Sequence, residues 1–276
     1  MLATLNDVLP QAKREGYGVG LFNTVDLEMA KGVLAAAENL RSPVIIGTAE
    51  VLLPAAALQE LADILIPLAK RSSVPVVVHF DHGLTPSLVE EAIRLGFSSV
   101  MYDCSMQPYQ ENLRAVRDMT AYAHARGVSV EAELGHVGNA DSQPQQMLYT
   151  DPAQAAEFQA QTQVDALAVA VGTLHGAYRV APQLQFSLIR ELAQCVKAPL
   201  VLHGGSGLSS TDFQRAIRAG IAKINIFTDI NRAQARAAAE EYCSGMGMTD
   251  LMPVMQQAVQ AAAEEKMRIF GSAGKA

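Results

Sequence analysis

The stretch PVVVHFDHG, Pro75 to Gly83, sets the reading of the whole chain. It opens on a proline, where a missing N–H costs a strand little. It runs through Val76, Val77 and Val78 and then places His79, Asp81 and His82 within four positions. An apolar β-rich run with a polar end is the pattern of a buried strand whose carboxyl end carries chemistry.

The same pattern recurs along the chain. Candidate strands are YGVGLF (17–22), PVIIG (43–47), PVVVHF (75–80), SSVMY (98–102), VSVEAE (128–133), DALAVAV (165–171), PLVLHG (199–204) and AKINIF (222–227). Longer amphipathic, Ala-rich segments separate them, for example 26–40, 55–71 and 110–126. Gly127 and Gly220 fall where helices should stop. Eight strands with helical crossovers predict a parallel closed barrel, the TIM (β/α)8 architecture. An open doubly wound sheet is the competitor. It would have fewer strands and a Gly-rich turn after the first, whereas the turn here reads NTVDLE. Residues 228–276 add two helical stretches at the C-terminus, and no linker or low-complexity segment interrupts residues 1–276, which read as a single domain.

Composition narrows the function. Half of the 276 residues are hydrophobic, but tryptophan is absent and aromatics are 5%, so Ala, Val, Leu and Ile must build the core. Charged residues are only 18%, which points to surface hidden in an oligomer. The net charge of −7, without a basic tail or stripe, argues against nucleic acid. No apolar run approaches a membrane span. The N-terminal MLATLNDVLPQAKREG is amphipathic and lacks the basic start and apolar centre of a signal peptide. Cys104, Cys195 and Cys243 are odd in number and widely spaced, and they read as reduced thiols of a cytoplasmic protein.

In a barrel, chemistry gathers where the strands end. Those ends carry Asn23, then His79, Asp81 and His82, then Asp103, Glu131 and Glu133, His175, His203 and Asn225. Four of the six histidines stand at such ends; His124 and His136 do not. Any one of them reads best as a packed, hydrogen-bonded residue. Their convergence on one mouth favours a three-histidine set with open positions, the pattern of catalytic zinc. His79 belongs to the strand, whereas His82 falls in the loop beside Gly83, so the ligands are assigned as His82, His175 and His203. Asp103 and Glu133 either ligate the metal through oxygen or orient its histidines; both roles stay open. Asp81, ionised beside a cation, suits a base for a substrate hydroxyl.

Two turns, the first glycine-rich, follow the last two strands. HGGSG (203–207) and NIFTD (225–229) each enter a helix, where barrels bind phosphate through backbone N–H groups. Gly204 and Gly205 allow close approach, and Ser206 and Thr228 offer hydroxyls. Lys223 either faces the interior or is a packed, paired lysine.

These residues resemble the class II, zinc-dependent fructose/tagatose bisphosphate aldolase family over nearly the whole chain. The resemblance rests on FNTVDLEM (22–29), SPVII (42–46), HFDHG (79–83), SSVMYDCS (98–105), EAELGHVG (131–138) and YTDPAQAAEF (149–158). It continues through DALAVAVGTLHGAY (165–178), LVLHGGSG (200–207), KINIFTD (223–229) and FGSAGKA (270–276). It implies one zinc ion on His82, His175 and His203, proton transfer by Asp81, and hydrogen bonding by Asn23 near the carbonyl. It also implies a dihydroxyacetone-phosphate site at Gly176, Gly204, Gly205, Ser206, Asn225, Ile226, Phe227 and Thr228. A homodimer or homotetramer and a monovalent cation are further implications. The reaction implied is reversible aldol cleavage of a phosphorylated ketose.

The chain departs from the family in two places. The family carries a glutamate in the loop after the fifth strand; HVGNADSQPQQM has none, and Asp141 is the nearest acid. The basic segment that holds a second phosphate is replaced by CSGMGMTDLMPVMQQ (243–257), with no Lys or Arg between Arg236 and Lys266. Arg179 is one substitute cation. A family serine in the loop after the second strand appears as Ala49, beside Thr48. The expected substrate is therefore a ketose 1-phosphate, a longer sugar or sugar acid included, with a 1,6-bisphosphate as the alternative. A zinc hydrolase and a non-catalytic assembly subunit are the readings from other classes.

Overall fold

The structure, a computed structural model, describes residues 1–138, 149–176 and 182–276. Asp141 and Arg179 lie outside the described residues. The chain opens with β1 (Leu2–Ala3) and α1 (Leu5–Glu15). Eight strand–helix units follow. They are β2 (Val19–Asn23) with α2 (Leu27–Leu40), β3 (Val44–Ala49) with α3 (Leu58–Arg71), β4 (Val76–Gly83) with α4 (Pro86–Leu95), and β5 (Ser99–Tyr102) with α5 (Tyr109–His124). Then come β6 (Ser129–Leu134) with α6 (Pro152–Thr162), β7 (Ala166–Val169) with α7 (Phe186–Cys195), β8 (Leu200–Leu202) with α8 (Ser210–Ala219), and β9 (Ile221–Ile226) with α9 (Thr228–Glu241). A long helix, α10 (Met248–Phe270), ends the described elements.

All strand pairs are parallel, and β5 returns to pair with β4, so β2 to β9 close into an eight-stranded barrel. The expected TIM barrel is therefore the fold. Of the two C-terminal helical stretches, α9 completes the eighth unit and α10 is the addition. The strand β1 had no counterpart in the sequence reading. Two residues are too few to show a period, and it pairs only with Val76 and Val77 of β4.

Strand alternation divides the apolar residues into two clusters. Val44, Ile46, Val76, Val78, Phe80, Leu167, Val169, Leu200 and Leu202 face the helices. Val19, Leu21, Ile45, Val77, Ala166, Ala168 and Val201 face the barrel axis and meet Leu5, Val8, Leu9 and Ala12 of α1. Those four lie at the i, i+3, i+4, i+7 spacing of one helix face. The amphipathic N-terminus is thus a plug for the amino end of the barrel, and Leu5 N donates to Ser129 Oγ on β6 at 3.0 Å. The other end of the barrel is left for polar residues.

Candidate active site

The inward positions change character along the barrel axis. On β4 the alternation that buries Val77 also turns His79 and Asp81 inward, and it would send His82 out toward the helices with Val78 and Phe80. One extra residue prevents this. Between Phe80 and Gly83 the register with β5 slips, since Phe80 pairs with Val100 and Gly83 with Tyr102. His82 sits in this bulge with φ of +42°, a left-handed conformation rare for a residue with a Cβ. The bulge re-aims its imidazole into the mouth. His82 is therefore part of β4, not of a following loop as the sequence reading had it. Ala49 and Thr48 likewise end β3 instead of lying in a loop.

His82, His175 and His203 come together there, with ring centroids 4.5 to 5.7 Å apart. One nitrogen of each lies within 4.8 Å of the others. His82 Nε2, His175 Nε2 and His203 Nδ1 are buried and make no hydrogen bond. The opposite ring nitrogens of two of them are held by carboxylates: His82 Nδ1 lies 2.7 Å from Asp103 Oδ2 and His203 Nε2 lies 2.8 Å from Glu131 Oε1. Three orphaned imidazole nitrogens, two of them on rings backed by carboxylates, are the arrangement of a metal site that takes nitrogen donors.

The two acids whose roles the sequence left open make different hydrogen bonds, although both lie with His82 in a group that could hold a metal ion. Asp103 uses one oxygen on His82 and accepts from Ser105 N with the other at 3.0 Å. Glu133 accepts from Val137 N at 2.9 Å, while its Oε2 has no hydrogen-bond partner and lies 3.3 Å from His203 Nδ1. Asp103 is placed to orient His82, and Glu133 keeps a free oxygen toward the histidines.

Beneath them runs a chain of buried contacts. Lys223 Nζ is 2.8 Å from Glu131 Oε2 and donates to Asn225 Oδ1 at 2.6 Å. With its oxygen so occupied, Asn225 turns Nδ2 to Asp81, at 3.0 and 3.1 Å from the two carboxylate oxygens. Asn23 Nδ2 donates to Asp81 Oδ2 at 2.7 Å. Lys223 thus faces the interior and is paired. His79 Nδ1 lies 2.7 Å from Ser99 Oγ.

Electrostatics follow from this crowding. Burial would raise the Asp81 carboxyl, but His82 and Lys223 outweigh it and hold it well below the ordinary carboxylate range. Burial also opposes ionisation of Glu131, yet Lys223 and the His203 hydrogen bond bring it down to about 2. Burial works against a charged His203, and Glu131 and Glu133 override it, pushing its proton affinity up to about 10. Burial, aided by His82 and His203, drives His175 well below its usual value. A group of carboxylates that raises the proton affinity of His203 equally favours another cation in the proton's place.

His82 and His175 open into a cavity of about 420 Å³, with His203 buried behind them. One wall is the turn after β8 and the start of α9. Gly204 has φ of +66°, and a Cβ there would stand 2.3 Å from Leu174 O; one on Gly205 would meet Asn225 O at 2.8 Å. Only glycine permits the strand-end backbones to approach so closely. Ser206 Oγ accepts from Phe227 N at 3.2 Å and Asp229 N at 3.4 Å, so a hydroxyl from another turn caps α9, which has no side-chain cap of its own. Gly176, Asn225, Ile226, Phe227 and Thr228 complete this wall.

The opposite wall is apolar, with Ala49, Val51, Leu52, Leu84 and Val137. Among the described residues no Lys or Arg lines the cavity, and nothing from 243–257 reaches it. His136, which the sequence reading set aside, does line it, with Nδ1 3.2 Å from Ser105 Oγ. Its signal was its place just beyond β6, one turn after Glu133. His124 is remote and pairs with Asp165 at 2.8 Å. All three cysteines are free, and no described helix is long and apolar enough to cross a membrane.

Comparison with known proteins agrees with this geometry. The chain matches the family described as fructose-bisphosphate aldolase class-II over residues 3–275. It is 38% identical to the protein YdjI of Escherichia coli, covering all of both chains. The crystal structure of that protein, described as the YdjI aldolase, superposes with a TM-score of 0.92 at 37% identity over the full length of both. It is also 38% identical to a fructose-bisphosphate aldolase of Geobacillus stearothermophilus, covering 100% of this chain and 99% of that one. A 6-phospho-5-dehydro-2-deoxy-D-gluconate aldolase of Shouchella clausii is 38% identical, covering 98% and 94%. The chain belongs to the class II fructose-bisphosphate aldolase family, whose members are carbon–carbon lyases acting on phosphorylated sugars.

Proposed function

We propose that the protein is a zinc-dependent aldolase that cleaves a ketose 1-phosphate to dihydroxyacetone phosphate and an aldehyde. The observation that carries this reading is the convergence of three orphaned histidine nitrogens at a cavity that His82 and His175 line together with a glycine-lined helix start. His82, His175 and His203 would hold the ion; nitrogen donors favour zinc over magnesium or calcium. When bound, the ion supplies Lewis-acid polarisation of the substrate carbonyl.

The protein's own residues do the rest. Gly204, Gly205, Ser206 and Thr228 receive the C1 phosphate at the start of α9, where N–H groups and the helix dipole favour an anion. Asn23 and Asn225 aim the Asp81 carboxylate. In cleavage Asp81 takes the C4 hydroxyl proton, the C3–C4 bond breaks, C4 leaves as the aldehyde, and the electron pair remains with C3. C3 then gains a proton, a step we assign to Asp141. Asp103 and Glu131 fix the tautomers of His82 and His203, and Glu133 is an alternate oxygen ligand.

The substrate's far end is read as lacking a phosphate. A dianion without a cationic partner binds poorly, and no described Lys or Arg lines the cavity. The alternative is a 1,6-bisphosphate, and the likeness to a protein named fructose-bisphosphate aldolase in Geobacillus stearothermophilus supports that reading. The test is a cleavage screen of zinc-loaded protein on matched ketose 1-phosphates and 1,6-bisphosphates, detecting dihydroxyacetone phosphate, with His82→Ala as control. Zinc-dependent cleavage favouring monophosphates is expected. Preference for a bisphosphate over every monophosphate would overturn the distal assignment.

A further inference from the structure

We infer that the apolar wall of the cavity is a built subsite for the aldehyde half of the substrate, and that it selects an aldehyde with an uncharged, deoxygenated end. The inference rests on the aldolase reading above. The proposed phosphate wall lies at the ends of β8 and β9, and Asp81, on β4 beside Ala49 of β3, meets Asn225 of β9 across the mouth. The half of the substrate released as aldehyde must extend toward Val51, Leu52 and Leu84. Val51 is 75% exposed and Leu84 59%, although both line the cavity that holds the histidines. Large apolar side chains left open at the rim of a polar site mark a surface awaiting an apolar partner.

The wall is braced. Val51 and Leu52 belong to a 3₁₀ turn, Glu50–Leu52, and Leu84 to the turn before α4. The Glu50 carboxylate ties the two turns together. It accepts from Leu84 N at 2.7 Å, Thr85 N at 2.9 Å and Thr85 Oγ1 at 2.6 Å. Glu50 thereby holds the subsite open in advance of binding, which spares the ordering cost of a mobile loop. Its negative charge behind the wall also disfavours a phosphate or carboxylate at this end. A terminal hydroxyl against Val51, Leu52 or Leu84 would find no hydrogen-bonding side chain among them and would give up part of its water. A methyl group loses nothing.

The experiment is aldol addition of dihydroxyacetone phosphate to three aldehydes that share C1 and C2 and differ at C3: 2-hydroxypropanal, 2,3-dihydroxypropanal and the 3-phosphate of the latter. The zinc-loaded protein should favour the methyl end over the hydroxyl end by roughly tenfold to a hundredfold in kcat/KM, with the phosphate last. Leu84→Lys, at an exposed position that the fold tolerates, should raise use of the phosphate by about tenfold or more and erase the methyl preference. Glu50→Gln should weaken the discrimination while leaving exchange of the C3 hydrogen of dihydroxyacetone phosphate with deuterated water unchanged. A merely destabilised enzyme would lose both.

Equal use of the three aldehydes, or preference for the phosphate, would overturn the subsite and leave the aldolase reading intact. So would a Leu84→Lys change that alters the sedimentation coefficient but not the preference, since a second copy would then cover the rim. If hydrogen exchange proceeds but no aldehyde of this set is accepted, the subsite is again wrong. Loss of exchange itself in the parent protein would fell the aldolase reading, and this inference with it.

Discussion

The two walls of the cavity are built on opposite principles. The wall at β8 and β9 is made of backbone: glycines, a helix start, and a serine whose hydroxyl caps a helix in another unit. Its shape is set by strand ends locked in the barrel register. The wall at β3 and β4 is made of side chains on two turns, held together by Glu50. Strand ends can be read as chemistry because the barrel dictates where they point. Turns can be re-dressed without disturbing the barrel, so they are where one member of a family differs from another. On the proposed reading, the shared half of the reaction sits on the first wall and the variable half on the second.

The strongest way to break this division is at the metal residues that serve both halves. His82→Ala and His203→Ala should each empty the site of zinc, read by elemental analysis, and lower cleavage of every substrate by at least ~10³-fold, the loss expected when several kcal/mol of carbonyl polarisation goes. A loss confined to some aldehydes would mean that the histidines act on the distal half instead. Asp81→Asn removes a base but not a metal ligand. Zinc content should stay whole while kcat falls by about 10²- to 10³-fold, whatever the aldehyde.

Lys223 sharpens the picture below the mouth. It is fully buried and joins the acid behind His203 to the amide that aims Asp81. Lys223→Met would leave Glu131 buried without its cation, at a cost of about 3–5 kcal/mol. A lowered urea midpoint is expected, together with a kcat that drops for all aldehydes alike. Retention of full kcat in the folded variant would show that Asn225 needs no such anchor.

How much of this was legible beforehand depends on whether a feature has a local signature. The barrel did: eight apolar runs, three of them opened by Pro43, Pro75 and Pro199, repeat a period that burial imposes. The convergence of His82, His175 and His203 followed from the barrel. The amphipathic face of α1 was visible, but not that it plugs the barrel. The bulge at His82 was not visible, because the left-handed turn of a histidine leaves no mark beyond a neighbouring glycine. Nor was the Glu50 clamp, whose partners lie 34 and 35 residues away. Val51 and Leu84 carry no signal of their own in the sequence; the cavity places them together.

A smaller effect tests whether the polar interior tolerates acid. Burial, reinforced by Lys223, lowers His79 from 6.5 to about 4. The unfolded chain therefore binds a proton that the folded chain refuses between these values. The stability His79 contributes is complete above about 6.5 and is lost as pH falls toward 4, on the order of 3 kcal/mol across the window. Urea midpoints of the parent should fall through this range, and His79→Gln should flatten the slope. An unchanged slope would place the acid sensitivity elsewhere.

The smallest change expected returns to the first wall. Ser206→Ala removes the hydroxyl that Phe227 N and Asp229 N donate to, leaving two donors at the start of α9 without that cap. A lost cap costs about 1 kcal/mol of stability. On the proposed reading the same hydroxyl receives the C1 phosphate, so KM should rise by roughly severalfold to tenfold, the worth of one hydrogen bond to a charged group. Because the phosphate is common to all substrates, the rise should be equal for every aldehyde partner, and the ranking set by the opposite wall should not move. If Ser206→Ala reorders the aldehydes, the two walls are not independent, and the division of labour between backbone and turn fails at its most conservative test.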